Sequence, residues 1–90
     1  MEMLCVCGLG QGSSLILRMT VEEVLKELGI KANVDNTDLS SVSYMRADYI
    51  VTNKVFGDQI HNTVPKIIVE NYFDKDEIRK AILQHIKKED

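Results

Sequence analysis

Residues 7–14 read Cys-Gly-Leu-Gly-Gln-Gly-Ser-Ser, a thiol followed by alternating glycines and two hydroxyls. Glycines at positions 8, 10 and 12 let the backbone take positive φ and turn successive N–H groups inward, making a concave nest for anions. Ser13 and Ser14 supply the N-cap of a helix, whose free N–H groups and dipole add attraction for negative charge. A phosphoryl group fits such a cradle without any basic side chain. The same groups stabilise a thiolate, so Cys7 is expected to be acidic, nucleophilic and placed to accept phosphorus. The expected site therefore has Cys7 as the reacting residue and Gly8, Leu9, Gly10, Gln11, Gly12, Ser13 and Ser14 as the phosphate binders. The two serine hydroxyls either cap the helix or reach phosphate oxygens.

Other glycine-rich motifs fit less well. A Walker loop ends Gly-Lys-Ser/Thr, but Ser13 follows Gly12 and the lysine is missing. A dinucleotide fingerprint wants its third glycine where Ser13 stands, although Asp35 is near the ribose-binding position. A cysteine phosphatase of the tyrosine-phosphatase kind carries Cys-x5-Arg-Ser/Thr, and its arginine falls on Ser13. That arginine would hold phosphate in a bidentate fork and stabilise the transition state. Leu4 to Leu17 contains no charged residue, a deficit that disfavours attack by water and suits a group meant to be passed on.

The elements around the loop follow from the apolar pattern. Met3 to Cys7 is a short apolar run ending in glycine, which suits a strand buried on both faces. Leu17, Val21, Val24, Leu25 and Leu28 recur at helical spacing up to Gly29, predicting a helix over 13–28. Ile30 to Asn36 alternates as a second strand, and the polar stretch 36–43 holds a short helical turn. Asp48 to Thr52 is a third strand, Phe56 to Asn62 a short helix, and Lys66 to Glu70 a fourth strand. Asp74 caps a last helix with Ile78, Ala81, Ile82 and Ile86 on one face. This order predicts an α/β fold: a small four-stranded parallel sheet flanked by helices, Rossmann-like, with a tyrosine-phosphatase-like phosphate loop. Ligands in such sheets bind at the carboxyl ends of the strands, where Cys7 falls.

Composition narrows the function. With 90 residues, 44% of them hydrophobic and 28% charged, one domain spanning 1–90 is expected. The net charge of -3 offers no basic face for nucleic acid. No run is long and apolar enough to span a membrane, and the start of the chain lacks the basic region of a secretory signal. Cys5 and Cys7, two residues apart in a strand, depart from the geometry a disulfide needs and do not pair easily, so a reducing cytoplasm fits. Cys5 reads as a small core residue. No metal-ligand spacing stands out, and His61 and His85 read as surface residues on helices. Glu22, Glu23 and Glu27 read as a solvated helix face, and Arg18 as facing solvent or a partner. Asp35, Asn36, Thr52 and Asn53 stand at strand ends and could rim the site. Leu15, Ile16 and Met19 make an apolar patch suited to docking.

On the residues Cys7-Gly8-x-Gly10-x-Gly12-Ser13-Ser14, the hydrophobic strand before them and the helix opening Leu-Ile-Leu-Arg-Met, the chain resembles the IIB components of sugar phosphotransferase systems (PTS). The likeness is to the L-ascorbate type first, with galactitol and lactose/cellobiose types as relatives. It is specific over roughly the first third and a matter of length and element order beyond. The resemblance implies a cytoplasmic phosphotransferase without cofactor or metal. Cys7 would take phosphate from a phosphohistidine of a IIA component and pass it to sugar at the membrane IIC component. A small cysteine phosphatase or reductase on a similar fold is the alternative.

Overall fold

Met3 to Val6 are buried throughout, as a strand covered on both faces requires. The computed structural model describes residues 1–6, 11–61 and 63–86, with backbone alone at 11–14 and at 43. Cys7, Gly8, Leu9 and Gly10 of the expected cradle lie outside the described residues, as does Asn62, the expected end of the short helix.

The elements are β1 (Glu2–Val6), α1 (Gln11–Leu28), β2 (Asn33–Thr37), a 3-10 turn (Val42–Tyr44), β3 (Tyr49–Thr52), α2 (Lys54–Gln59), β4 (Lys66–Ile68) and α3 (Lys75–His85). The four strands pair in parallel in the order β2-β1-β3-β4, so the expected α/β architecture is the observed one. Register divides the side chains between two faces. Met3 lies beside Val34 and Tyr49, and Cys5 beside Val51; these join Leu17, Val21, Val24 and Leu25 of α1 and Ile78 and Ile82 of α3 in the larger core. Leu4, Val6 and Ile50 point the other way and pack with Val42 and Ile60. The chain runs outward to β2 on one side of β1 and to β3 and β4 on the other. Right-handed crossovers in opposite directions put α1 and α2 on opposite faces.

Several boundaries differ from the expectation, each for a local reason. Helix α1 starts at Gln11, so Gly12, Ser13 and Ser14 lie within its first turn instead of at its cap. Once burial of Leu17 and Val21 has nucleated a helix, extending it backward through Gly12-Ser13-Ser14 costs little. Gly12 therefore has helical backbone, and among the described residues Gly29 is the glycine at positive φ, 71°. Gly29 closes α1 in a Schellman arrangement: its N–H donates to Lys26 O (3.2 Å) and that of Ile30 to Leu25 O (2.9 Å). Ile30 is spent on that closure, so β2 begins only at Asn33, while Ile30 and Ala32 still pack against the core. Helix α2 starts early because Asn53 caps it, accepting from Phe56 N at 2.8 Å. Strand β4 closes at Ile68; Val69 N still donates to Thr52 O at 2.9 Å, and the next two amides turn elsewhere. Glu77 accepts from Glu70 N (2.6 Å) and Asn71 N (3.0 Å). Asp74 caps α3 as expected, accepting from Glu77 N at 3.1 Å.

The acidic face of α1 is not simply solvated. Glu27 pairs with Lys75 and with Arg79 (2.9 Å), and Glu23 lies 4.0 Å from Lys75. These contacts hold the Glu27 carboxyl below its ordinary pKa, chiefly through the Lys75 hydrogen bond. They lie along the seam where α1 meets α3.

Candidate functional site

Strand order points to a candidate site. The chain leaves β1 for β2 on one side and returns to β3 on the other, so the carboxyl ends of β1 and β3 form a topological switch point, where open parallel sheets leave a crevice for ligands. Residues 7–10 connect Val6, the end of β1, to Gln11, the start of α1. The first turn of α1 therefore turns its free N–H groups toward this end of the sheet.

Thr52 ends β3 and is fully buried, the one polar residue so placed among the described residues. Its hydroxyl donates to Val6 O at 2.9 Å, tying the last residue of β1 to the last residue of β3. Its own carbonyl accepts from Val69 N at 2.9 Å. The ends of β1 and β3 and the residue after β4 are thus fastened through one residue. Sequence reasoning placed Thr52 only on the rim. Its signal was available: a lone threonine closing an otherwise apolar strand is a buried hydroxyl, and buried hydroxyls need partners.

The other expected rim residues have separate tasks. Asn53 caps α2. Asp35 Oδ1 accepts from Asn36 N at 2.8 Å, and Asn36 Oδ1 accepts from Arg18 Nη1 at 3.2 Å. Arg18 Nη1 lies 3.8 Å from Asp35 Oδ1, and Arg18 Nε lies 3.4 Å from Glu22 Oε1. Arg18 is thus anchored to the edge strand β2 and to its own helix.

A family model for the lactose/cellobiose-specific IIB subunit of the PTS matches residues 2–84. The chain belongs to that family. An ascorbate-specific PTS EIIB component of Mycoplasma pneumoniae is 30% identical over 86 residues, covering 91% of this chain and 90% of that protein. The solved lactose-specific IIB component domain of the phosphoenolpyruvate:carbohydrate phosphotransferase system from Streptococcus pneumoniae superposes with a TM-score of 0.57. That match covers 97% of this chain and 98% of that one, at 15% identity, and it speaks for the fold. This chain is a IIB component of a sugar phosphotransferase system and phosphotransferase-type by family. No helix among the described residues is long and apolar enough to cross a membrane.

Of the expected site residues in this IIB chain, Gln11, Gly12, Ser13 and Ser14 have their backbone in the first turn of α1; Cys7, Gly8, Leu9 and Gly10 lie outside the described residues. Leu15, Ile16 and Met19 are 48%, 39% and 59% exposed on the next turns of α1, forming the apolar patch expected of them. His61 is exposed and follows α2. His85 ends α3, its ring edge-on to Tyr49 at 6.4 Å. Two open grooves of about 690 and 820 Å³ lie at the opposite, amino end of the strands; both include Met1, Lys26, Gly29 and Ile30. That is the wrong end of a parallel sheet for the chemistry.

Cys5 is fully buried, and desolvation pushes its thiol from 9.0 to about 12; Arg18 partly offsets this, while Glu22 and Asp35 add to it. It is held as a neutral thiol at physiological pH. A thiol three units less acidic presents about a thousandth of the thiolate. Iodoacetamide at pH 8 is therefore expected to leave Cys5 unmodified in the native protein and to label it after denaturation, read by peptide mass mapping; labelling of native Cys5 would refute its burial. The same shift sets an alkaline limit. Between pH 9 and about 12 the unfolded thiol ionises first and the folded state binds the extra proton, so stability falls as pH rises through that window.

Proposed function

We propose that Cys7 is the phosphoryl acceptor of this IIB protein, taking phosphate from a phosphohistidine of a IIA component and delivering it to sugar at the membrane IIC component. The observation that carries this reading is the tie between Thr52 and Val6 at the switch point, because Cys7 is the next residue of the chain. A buried hydrogen bond holds the strand end from which Cys7 follows in sequence. The phosphoryl oxygens on Cys7 would meet the N–H groups of residues 8–14, including those of the first turn of α1.

In the first step the thiolate Sγ bonds to phosphorus as the N–P bond of the donor histidine breaks, and the imidazole keeps the electron pair. In the second, a sugar hydroxyl oxygen bonds to phosphorus, the S–P bond breaks, and the pair returns to Sγ as the hydroxyl proton leaves. The exposed Leu15, Ile16 and Met19 lie on the helix that opens from the site and suit docking of the two partners in turn. The sugar is taken to be L-ascorbate, on the strength of the relative that carries that name. Residues 1–90 act as a single IIB-type domain, and cytoplasmic operation follows from the reactions proposed.

The test is intact-mass spectrometry after incubation with a phosphorylated IIA protein. A gain of one phosphoryl group, absent in Cys7→Ser, is the expected result. Rapid release of inorganic phosphate without any partner would instead indicate a cysteine phosphatase, and no adduct under any condition would overturn the reading.

A further inference from the structure

The connection from β4 to α3 is short and tightly bonded, yet it turns an aromatic ring outward. Glu77 accepts from Glu70 N (2.6 Å) and Asn71 N (3.0 Å), Asn71 Oδ1 accepts from Phe73 N (2.9 Å), and Asn71 O accepts from Asp74 N (3.1 Å). Val69, just before it, donates its N–H to Thr52 O at 2.9 Å. On this frame the Phe73 side chain is 73% exposed. Two more apolar side chains are exposed at the carboxyl end of the same half of the sheet: Ile68, the last residue of β4, and Val55, in the first turn of α2 after β3. Ile68 Cδ1 lies 2.8 Å from where a Cβ on Gly57 would be, which leaves no room for a side chain between β4 and α2. Isolated exposed apolar groups need no partner, but three on successive elements at one end, one of them an aromatic held in place, make a contact surface. Because the connection is already ordered, docking on Phe73 avoids the entropy that a mobile loop would lose.

The charge beside this surface gives the sign of what it meets. Residues 70–77 hold four carboxylates, Glu70, Asp74, Asp76 and Glu77, against the one cation Lys75, which is turned onto Glu23 and Glu27 of α1. Arg79 meets Asp76 at 3.0 Å, so Glu70 and Asp74 set the charge nearest Phe73 in the chain. An apolar surface with an acidic margin fits a basic contact face. Membrane proteins carry an excess of Lys and Arg on their cytoplasmic loops. Of the two partners proposed above, the membrane component is therefore the one whose sign is set. We propose that Phe73, with Val55 and Ile68, docks on the basic cytoplasmic face of the membrane IIC component. This rests on the partner assignment above and names the surface that meets that partner.

Cosedimentation of the protein with vesicles containing the IIC component reads docking without any phosphate chemistry. Transfer from the phosphorylated protein to L-ascorbate on the same vesicles reads its use. Phe73→Ala is expected to weaken binding and raise the KM about tenfold or more, the scale of an interface anchor. Its melting temperature should stay close to the parent's, because the ring is exposed. Glu70→Lys should weaken binding about threefold at low salt and match the parent at about 0.5 M salt, where surface charges are screened. Leu83→Ala removes an exposed apolar side chain late in α3 and should bind as the parent does. Parent-like binding by Phe73→Ala, or no binding by the parent, overturns the proposal. So does an equal loss in phosphoryl acceptance from a phosphorylated IIA protein, which would give the surface to that partner. A concentration-dependent dimer abolished by Phe73→Ala would give it to a second copy and overturn the proposal as well. Binding that depends on Phe73 while Cys7 takes up no phosphate would sink the phosphocysteine reading and keep the docking surface.

Discussion

Leu17→Ala is expected to cost about 3 kcal/mol of folding stability, within the range of buried leucine truncations. Leu17 is the first residue of α1 whose side chain is seen to be buried, with no exposed surface, and it packs among Val21, Val24 and the strand residues of the larger core. The truncation removes its methyl groups from water-free contacts and leaves a cavity that the sheet cannot collapse to fill. In a chain of this size the melting temperature should fall by about 15 °C. Total stabilities of small domains run to only about 5–15 kcal/mol, so the variant should survive but be close to its limit at physiological temperature. Leu15→Ala is the control. It removes the same atoms two residues earlier on the same helix, but from a side chain 48% exposed, and a change there should stay within about 0.5 kcal/mol. Thermal or urea denaturation of the pair measures the difference. Equal losses would mean that α1 presents a different face to the sheet.

That contrast shows how the fold was legible. The period of 3.6 that assigned Leu17, Val21, Val24, Leu25 and Leu28 to the inner face also left Leu15, Ile16 and Met19 outside it, and both sets stand where the spacing put them. Strand β1 was legible because four consecutive apolar residues from Met3 to Val6 have no polar face to show. Chain order then supplied the parallel sheet, since alternating strands and helices leave few other right-handed arrangements.

The errors came where a local signal met a nonlocal demand. Ser13 and Ser14 have the chemistry of a cap, but a helix already stabilised by core packing runs through them to Gln11. Gly12 reads in isolation as a positive-φ member of the anion nest and takes helical backbone for the same reason. The acidic face of α1 reads as solvated because its partners, Lys75 and Arg79, lie about fifty residues away in sequence. The candidate site was read as a chemical type, in the thiol, the glycines and the absent charge of residues 7–14. The contacts of the strand ends were not legible. Thr52 bonds the end of β3 to that of β1 and Arg18 bonds α1 to Asn36 of β2, and nothing in residues 7–14 points to them. That Thr52 is a buried hydroxyl could be read from its strand, but its partner Val6 could not, because only strand order places the ends of β1 and β3 side by side.

Substitutions at Thr52 separate the two things that this residue does. Its hydroxyl donates to Val6 O, while its methyl fills space near Gly57, whose absent Cβ would lie 3.7 Å from Thr52 Cγ2. Thr52→Val keeps the shape and removes the hydrogen bond, which costs about 1 kcal/mol and buries an apolar group where a donor stood. Thr52→Ser keeps the donor and loses the methyl, at about 1 kcal/mol of lost burial. Thr52→Ala loses both and should cost about 2 kcal/mol, the two terms adding if they are independent. Stability alone therefore ranks valine and serine together. Function should not. If the hydroxyl orients the end of β1, phosphoryl acceptance from a phosphorylated IIA protein should remain close to normal in Thr52→Ser and fall about tenfold in Thr52→Val, because a small misplacement of a nucleophile is costly. Single-turnover acceptance rates, measured beside the melting temperatures, give both readings on the same samples. Rates that track stability across the three variants, with valine and serine alike, would reduce Thr52 to a packing residue. A rate that follows the hydroxyl instead makes this buried hydrogen bond part of how the protein aims its thiol.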